Sequence, residues 1–199
     1  MHYINKTKTL KLLEINPERK NGNENFSLNN KNLDFKLHDF WIWNQSNLIE
    51  NRTRGILAEF IVKQSLNIKN GTRIEWDSYD LITENGIKIE IKSASYIQSW
   101  EQKKYSEIKF GIAPTKGEPI NPEYNGKYKR WSDFYIFCLL SNKDQKTINP
   151  MDLNQWTFYV LKTKKLNEKI PTQKNIGLNS LLKLNPVKCD YSELKEIIK

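Results

Sequence analysis

The stretch Trp76-Asp-Ser-Tyr-Asp80-Leu-Ile-Thr-Glu-Asn-Gly86-Ile-Lys-Ile-Glu90-Ile-Lys92-Ser-Ala-Ser95 decides the fold of this chain. Two short runs with apolar residues at every second position flank Glu84-Asn85-Gly86, a hairpin signal. Tyr79, Leu81, Ile87, Ile89 and Ile91 share one parity, whereas Asp80, Ile82, Lys88, Glu90 and Lys92 share the other. The turn settles whether the charged groups meet. A two-residue Asn-Gly turn would put the acids on opposite faces. A three-residue loop, with Gly86 in the left-handed conformation, closes on Thr83 and Ile87. It sets Ile82 against Lys88, Leu81 against Ile89 and Asp80 against Glu90. Only this register buries the isoleucines together. It also brings the two carboxylates onto one face, with Lys92 one diagonal step away.

Outward from the hairpin, Arg52–Leu66 reads as an amphipathic helix, with Ile56, Leu57, Phe60, Ile61 and Leu66 at helical spacing and Asn70-Gly71 as its end. Leu37–Asn47 is aromatic and reads as a helix packed on the core. RIEW (73–76), SEIKFGI (106–112), DFYIFCLL (133–140) and QWTFYVL (155–161) read as strands, the third continuous enough to be buried on both faces. Residues 114–132, with three prolines, read as a long loop. Asp190 and Glu193 make a capping box for a C-terminal helix. The order of elements predicts an α/β domain with one mixed central sheet flanked by helices, over residues 36–199. Residues 1–35 are rich in Asn and Lys and read as a polar N-terminal arm, with NGNEN at 21–25 as a turn.

At 199 residues and 12% aromatics the chain can bury a full core. No apolar run is long enough for a membrane span, no secretory segment opens the chain, and two cysteines do not make a disulfide framework. These features lead to a cytoplasmic expectation. The net charge of +9 suits a polyanionic partner, although a Lys-, Asn- and Ile-rich composition supplies charge without function. With only His2 and His38, a histidine-bound metal nuclease is poorly served, and no Walker phosphate loop is present.

Two adjacent carboxylates repel, and a hard divalent cation relieves this, since Mg²⁺ takes one or two carboxylates with waters and phosphate oxygens. Lysine beside such an ion stabilises phosphate charge or orients a water. A cross-strand ionic cluster on a sheet face is the plainer alternative.

Asp80, then Glu90-Ile91-Lys92, with Glu59 on the preceding helix, resembles the PD-(D/E)XK, or restriction-endonuclease-like, nuclease superfamily over residues 52–95. Tyr79 stands where the motif has its proline. The resemblance implies a restriction-endonuclease-like core and a Mg²⁺-dependent DNA endonuclease of restriction, anti-phage defence or repair type, with Mn²⁺ able to substitute. It implies catalytic roles for Glu59, Asp80, Glu90 and Lys92, and metal ligation by Asp80, Glu90 and the Ile91 carbonyl. Double-stranded DNA is the expected partner. Cutting both strands implies a homodimer, or a place as a subunit of a larger defence complex. Arg54, Gln98, Lys103, Lys104, Lys129 and Arg130 are candidate nucleic-acid contacts, several of them interleaved with aromatics. A catalytically inactive binding or interaction subunit of the same fold is the competing reading.

Overall fold

The computed structural model of the protein describes residues 12, 15, 17–69, 71–73, 78–117 and 125–198. The hairpin forms in the expected register. Strand β3, Leu81–Ile82, runs antiparallel to β4, Lys88–Ser95, pairing Leu81 with Ile89 and Ile82 with Lys88. Strands β1 and β2, Asn25–Leu28 and Lys31–Lys36, precede them in the chain and form a separate antiparallel pair. Gly86 has φ of 80°, and its N–H donates to the Thr83 carbonyl at 2.9 Å. Thr83 also caps the turn by accepting the Ile87 N–H on its hydroxyl at 3.0 Å.

The remaining strands are β5 (Lys109–Gly111), β6 (Phe134–Leu140), β7 (Trp156–Lys162), β8 (Asn175–Gly177) and β9 (Val187–Cys189). The helices are α1 (Leu37–Gln45), α2 (Asn51–Ser65), α3 (Thr163–Lys169), α4 (Leu178–Lys183) and α5 (Leu194–Ile197). The central sheet has five strands in the order β3-β4-β6-β7-β9, and only the β4–β6 pair is parallel. The protein is thus a mixed α/β domain. No helix among the described residues is long and apolar enough to cross a membrane.

Both faces of this sheet are covered. On one, Ala58, Ile61 and Val62 of α2 and Leu194 beside them pack on Ile89, Ile91, Ile136 and Phe158. On the other, Phe110, Ile176, Leu166 and Leu181 bring the β5–β8 pair, α3 and α4 onto Ala94, Tyr135, Phe137 and Leu139. Glu90 and Lys92 point to this second face, in register with Tyr135 and Phe137. Their face is therefore not an open polar surface but the uncovered end of a buried one. Helix α2 starts at Asn51, one residue before the stretch its periodicity indicates, because the Glu50 carboxylate accepts the Arg52 and Thr53 N–H groups at 3.0 and 2.9 Å. It ends at Ser65, short of Asn70-Gly71, and Asn67, with φ of 56°, closes a left-handed cap with the Ile68 N–H on the Lys63 carbonyl.

Three expectations change. Tyr79 and Leu81 share the parity of the buried Ile89 and Ile91 but are only half-buried, because β3 is two residues long and does not reach Tyr79; Lys88 Nζ lies 5.5 Å from the Tyr79 ring centroid. Helix α1 forms but buries none of its residues, and Trp43 is 81% exposed. It leans instead on the β1–β2 hairpin, which lies within the stretch read as an arm, and on Gly22, where a Cβ would approach Trp41 to 2.9 Å. The RIEW strand falls largely outside the described residues, and Arg73, which is described, is not in a strand. The reciprocal bonds of the expected capping box form, with the Asp190 N–H on the Glu193 carboxylate at 2.9 Å and the Glu193 N–H on Asp190 at 3.3 Å, but they close a turn over residues 191–193, and α5 begins only at Leu194 with Glu193 as its N-cap. Cys138 and Cys189 are free and buried.

Candidate active site

Strand β3 is only two residues long, and what happens where it ends builds the site. Beyond Leu81 the backbone ladder loosens, and the side chain of Asp80 takes over. Its Oδ2 accepts the Ile91 N–H at 2.6 Å, while the Asp80 N–H donates to the Ile89 carbonyl at 3.0 Å. The carboxylate is thereby fixed on β4, one residue from Glu90 and one from Lys92. Glu90 Oε1 and Lys92 Nζ form an ion pair at 2.5 Å, with side-chain exposures of 19% and 31%.

Burial and the adjacent Glu90 push the Asp80 carboxyl up to about 7, against the opposing pull of Lys92 and the Ile91 N–H. Burial lowers Lys92, but Glu90, Asp80 and Glu59 outweigh it and hold the ammonium above its ordinary range. The cluster is short of positive charge, and Lys92 is the group that answers it from within.

Glu59 comes from α2 and lines the same groove as Asp80. Its side chain is 14% exposed, yet both its oxygens are taken: Arg73 Nε donates to Oε2 at 2.6 Å and Nη2 to Oε1 at 2.9 Å. Among the described residues no group of three or more His, Cys, Asp and Glu side chains could hold a metal ion. Among the described residues the acids that the hairpin register sets together are Asp80 and Glu90, with Glu59 a neighbouring charge. The pair suits Mg²⁺, which asks for one or two carboxylates and keeps its waters. A carboxyl raised by a like charge is also the signature of a place where a cation relieves repulsion.

Two neighbours escaped the sequence reading. Arg73 belongs to a segment read as a strand, and only the tertiary fold shows that it clamps Glu59. Tyr135 sits in the apolar run of β6, and the parallel register puts it beside Glu90. Its phenol is raised by burial first and then by Glu90.

The six candidate nucleic-acid contacts divide. Arg130 is 6% exposed, and its guanidinium donates to Asn167 Oδ1 and to the carbonyls of Ile112, Ile170, Pro171 and Gln173. Arg54 is 3% exposed and donates to the Ile49 carbonyl, Asn51, Ser93 and Gln98. Gln98 receives Arg54 and donates to the Ser95 carbonyl and Ser106 Oγ. These three hold the fold together and do not present their polar atoms to a ligand. Lys129 is half-buried, its Nζ 3.9 Å from the Trp131 ring centroid. Lys103 and Lys104 are exposed, and with Tyr105, Lys143 and Lys146 they line a basic groove of about 690 Å³ beyond the end of β4.

A carboxylate pair beside a lysine, at the uncovered edge of a mixed sheet, is a set of groups able to bind a hard cation and an anionic substrate together. The model of the bacteriophage T4 endonuclease IV family matches residues 7–180, and the chain belongs to that family. Membership points to a nuclease. No curated protein matches the sequence.

The Asp80 carboxyl couples folding to pH. The carboxyl is near 7 when folded and near 3.8 when free, so the folded state holds a proton that the unfolded state gives up. The contribution of Asp80 to the stability of the metal-free protein is therefore fully present below about pH 4 and is lost as pH rises through about 7. Asp80→Asn keeps an acceptor for the Ile91 N–H and removes the charge. It should melt above the wild type by several degrees at pH 8, a gain on the order of 2 kcal/mol after solvent relaxation, and by much less at pH 5. Parallel melting curves across this range would refute the buried-charge account.

Proposed function

We propose that the protein is a Mg²⁺-dependent nuclease of the PD-(D/E)XK type that hydrolyses DNA phosphodiester bonds internally. The observation that carries this reading is the hairpin register, which joins Asp80, Glu90 and Lys92 on one face at the end of a buried sheet. Family membership supports the nuclease class. Asp80 and Glu90, with the Ile91 carbonyl, would hold the cation, and Mn²⁺ would substitute. When bound, it supplies Lewis acidity to the scissile phosphate and acidifies a coordinated water.

The chain's own groups do the rest. Lys92, released from Glu90 once the carboxylates are otherwise compensated, faces the phosphate and orients the attacking water. Glu59, held by Arg73, stands beside Asp80 in the groove and would reach the cation's shell through a water once released from that clamp. Lys103 and Lys104 hold the flanking backbone by its phosphates. Double-stranded DNA as substrate, a homodimer or a defence complex as the working assembly, the cytoplasm as its place, and restriction, anti-phage defence or repair as its role belong to the same proposal.

The test is incubation of plasmid and of single-stranded DNA with and without Mg²⁺ or Mn²⁺. Cation-dependent nicks or double-strand breaks are expected. No cleavage of either DNA with either cation would sink the reading. Affinity measured in chelator should also fall steeply with salt, and the double variant Lys103→Gln with Lys104→Gln should reduce the slope of log affinity against log salt by about one to two. An unchanged slope would place the DNA elsewhere on the surface.

A further inference from the structure

We infer that the groove between α2 and β3 is a pocket for one unstacked nucleobase of the cleaved strand, next to the phosphate held at Asp80 and Glu90. The inference rests on the nuclease reading and deepens it. The groove is about 450 Å³, within the roughly 300–1,000 Å³ of small-ligand sites. Most of its lined surface is apolar, from Ile56, Phe60, Ile68, Tyr79, Leu81 and Ile82, and Arg19, Thr72 and Arg73 complete the wall. Glu59 and Asp80 stand in the same lining, so the pocket opens onto the chemistry and not at a distance from it.

Two of these residues are costly where they are. Phe60 is 54% and Ile82 42% exposed, on the two elements that face each other across the groove. Each is tied to an acid by local geometry. Phe60 follows Glu59 directly, and Ile82 lies two strand residues after Asp80, on the same parity. A phosphate between Asp80 and Lys92 thus has half-exposed apolar surface beside it. A base is the part of a nucleotide that would cover such surface, because its π-face stacks on apolar and aromatic side chains whatever its identity. Leaving the stack carries a cost that the pocket must offset.

Base identity would be read at the polar rim. Gln64 is exposed at the pocket edge, and its amide carries both donors and an acceptor, as Watson–Crick edges do. Lys63 lies beside it and can hold the adjoining phosphate.

The experiment uses the full chain with Mg²⁺ or Mn²⁺ on random-sequence DNA, single- and double-stranded, and reads every cut position by sequencing. Wild type should show a base preference on one side of the cut. Ile82→Trp, which fills the groove, should lower cleavage about tenfold or more. Phe60→Ala should also lower it, and Gln64→Ala should change the preferred base. On an oligonucleotide with an abasic residue at the preferred position, wild type, Ile82→Trp and Phe60→Ala should cut at equal, reduced rates. All three positions are half-exposed or exposed, and unchanged circular dichroism and melting confirm that each variant folds. Cleavage by wild type without base preference, or variants that keep the wild-type profile, would overturn the pocket and leave the nuclease standing. Absence of any cleavage by wild type would overturn both.

Discussion

Lys92→Ala should lose DNA cleavage by on the order of a hundred- to a thousandfold, the cost of removing one preorganised positive group from a phosphoryl-transfer site. The variant should nonetheless bind Mg²⁺, since an ammonium is not a metal ligand. Its stability separates an active site from a structural ionic cluster. Without metal, Lys92 is the internal counter-charge to Glu90 and Asp80. Its removal should lower the melting temperature of the metal-free protein, because two poorly solvated carboxylates are then left facing one another. Saturating Mg²⁺ should close that gap, since a cation replaces the missing charge, and should not restore cleavage. Differential scanning fluorimetry across a Mg²⁺ titration, beside a plasmid time course, makes the comparison. Wild-type cleavage by Lys92→Ala would exclude the mechanism. A melting deficit that Mg²⁺ leaves untouched would identify a structural cluster instead.

Arg130→Met should destabilise the protein by about 3–5 kcal/mol, as expected when one side of a buried, hydrogen-bonded charged network is removed. The guanidinium serves five acceptors drawn from three places: the Ile112 carbonyl after β5, Asn167 on α3, and the carbonyls of residues 170, 171 and 173 that follow it. Methionine fills the space and leaves the acceptors without donors. Arg130→Lys should recover little, because a single ammonium cannot span a planar five-donor fork. The expected fall in melting temperature is roughly 10 °C for a chain of this size, read by urea or thermal denaturation. DNA affinity should change only as far as folded protein is lost. A stable Arg130→Met with weakened DNA binding would return this residue to the DNA contacts.

Arg130 also marks where reading residues in order stops working. Arg54, Gln98, Arg130, Lys103 and Lys104 look alike along the chain, as polar side chains near aromatics. The first three turn inward to backbone carbonyls or to one another, and the last two turn out. Nothing local distinguishes them, because the acceptors of Arg130 lie 18 to 43 residues away. Likewise the aromatic helix α1 carries the composition of a core element, yet its position on the β1–β2 hairpin leaves its rings exposed.

What the amino-acid order determined by itself is the hairpin, and with it the meeting of Asp80, Glu90 and Lys92. Side-chain alternation and one glycine with positive φ allow a single register that buries the isoleucines, and both causes act within twenty residues. The tertiary structure alone decided how that cluster behaves. Burial in the groove shared with α2 desolvates Asp80, and with Glu90 beside it raises its carboxyl. Helix α2 delivers Glu59 already clamped by Arg73, and the parallel pairing of β4 with β6 brings Tyr135 beside Glu90. Solvation and long-range charge depend on what covers a group, and that is set by segments distant in the chain.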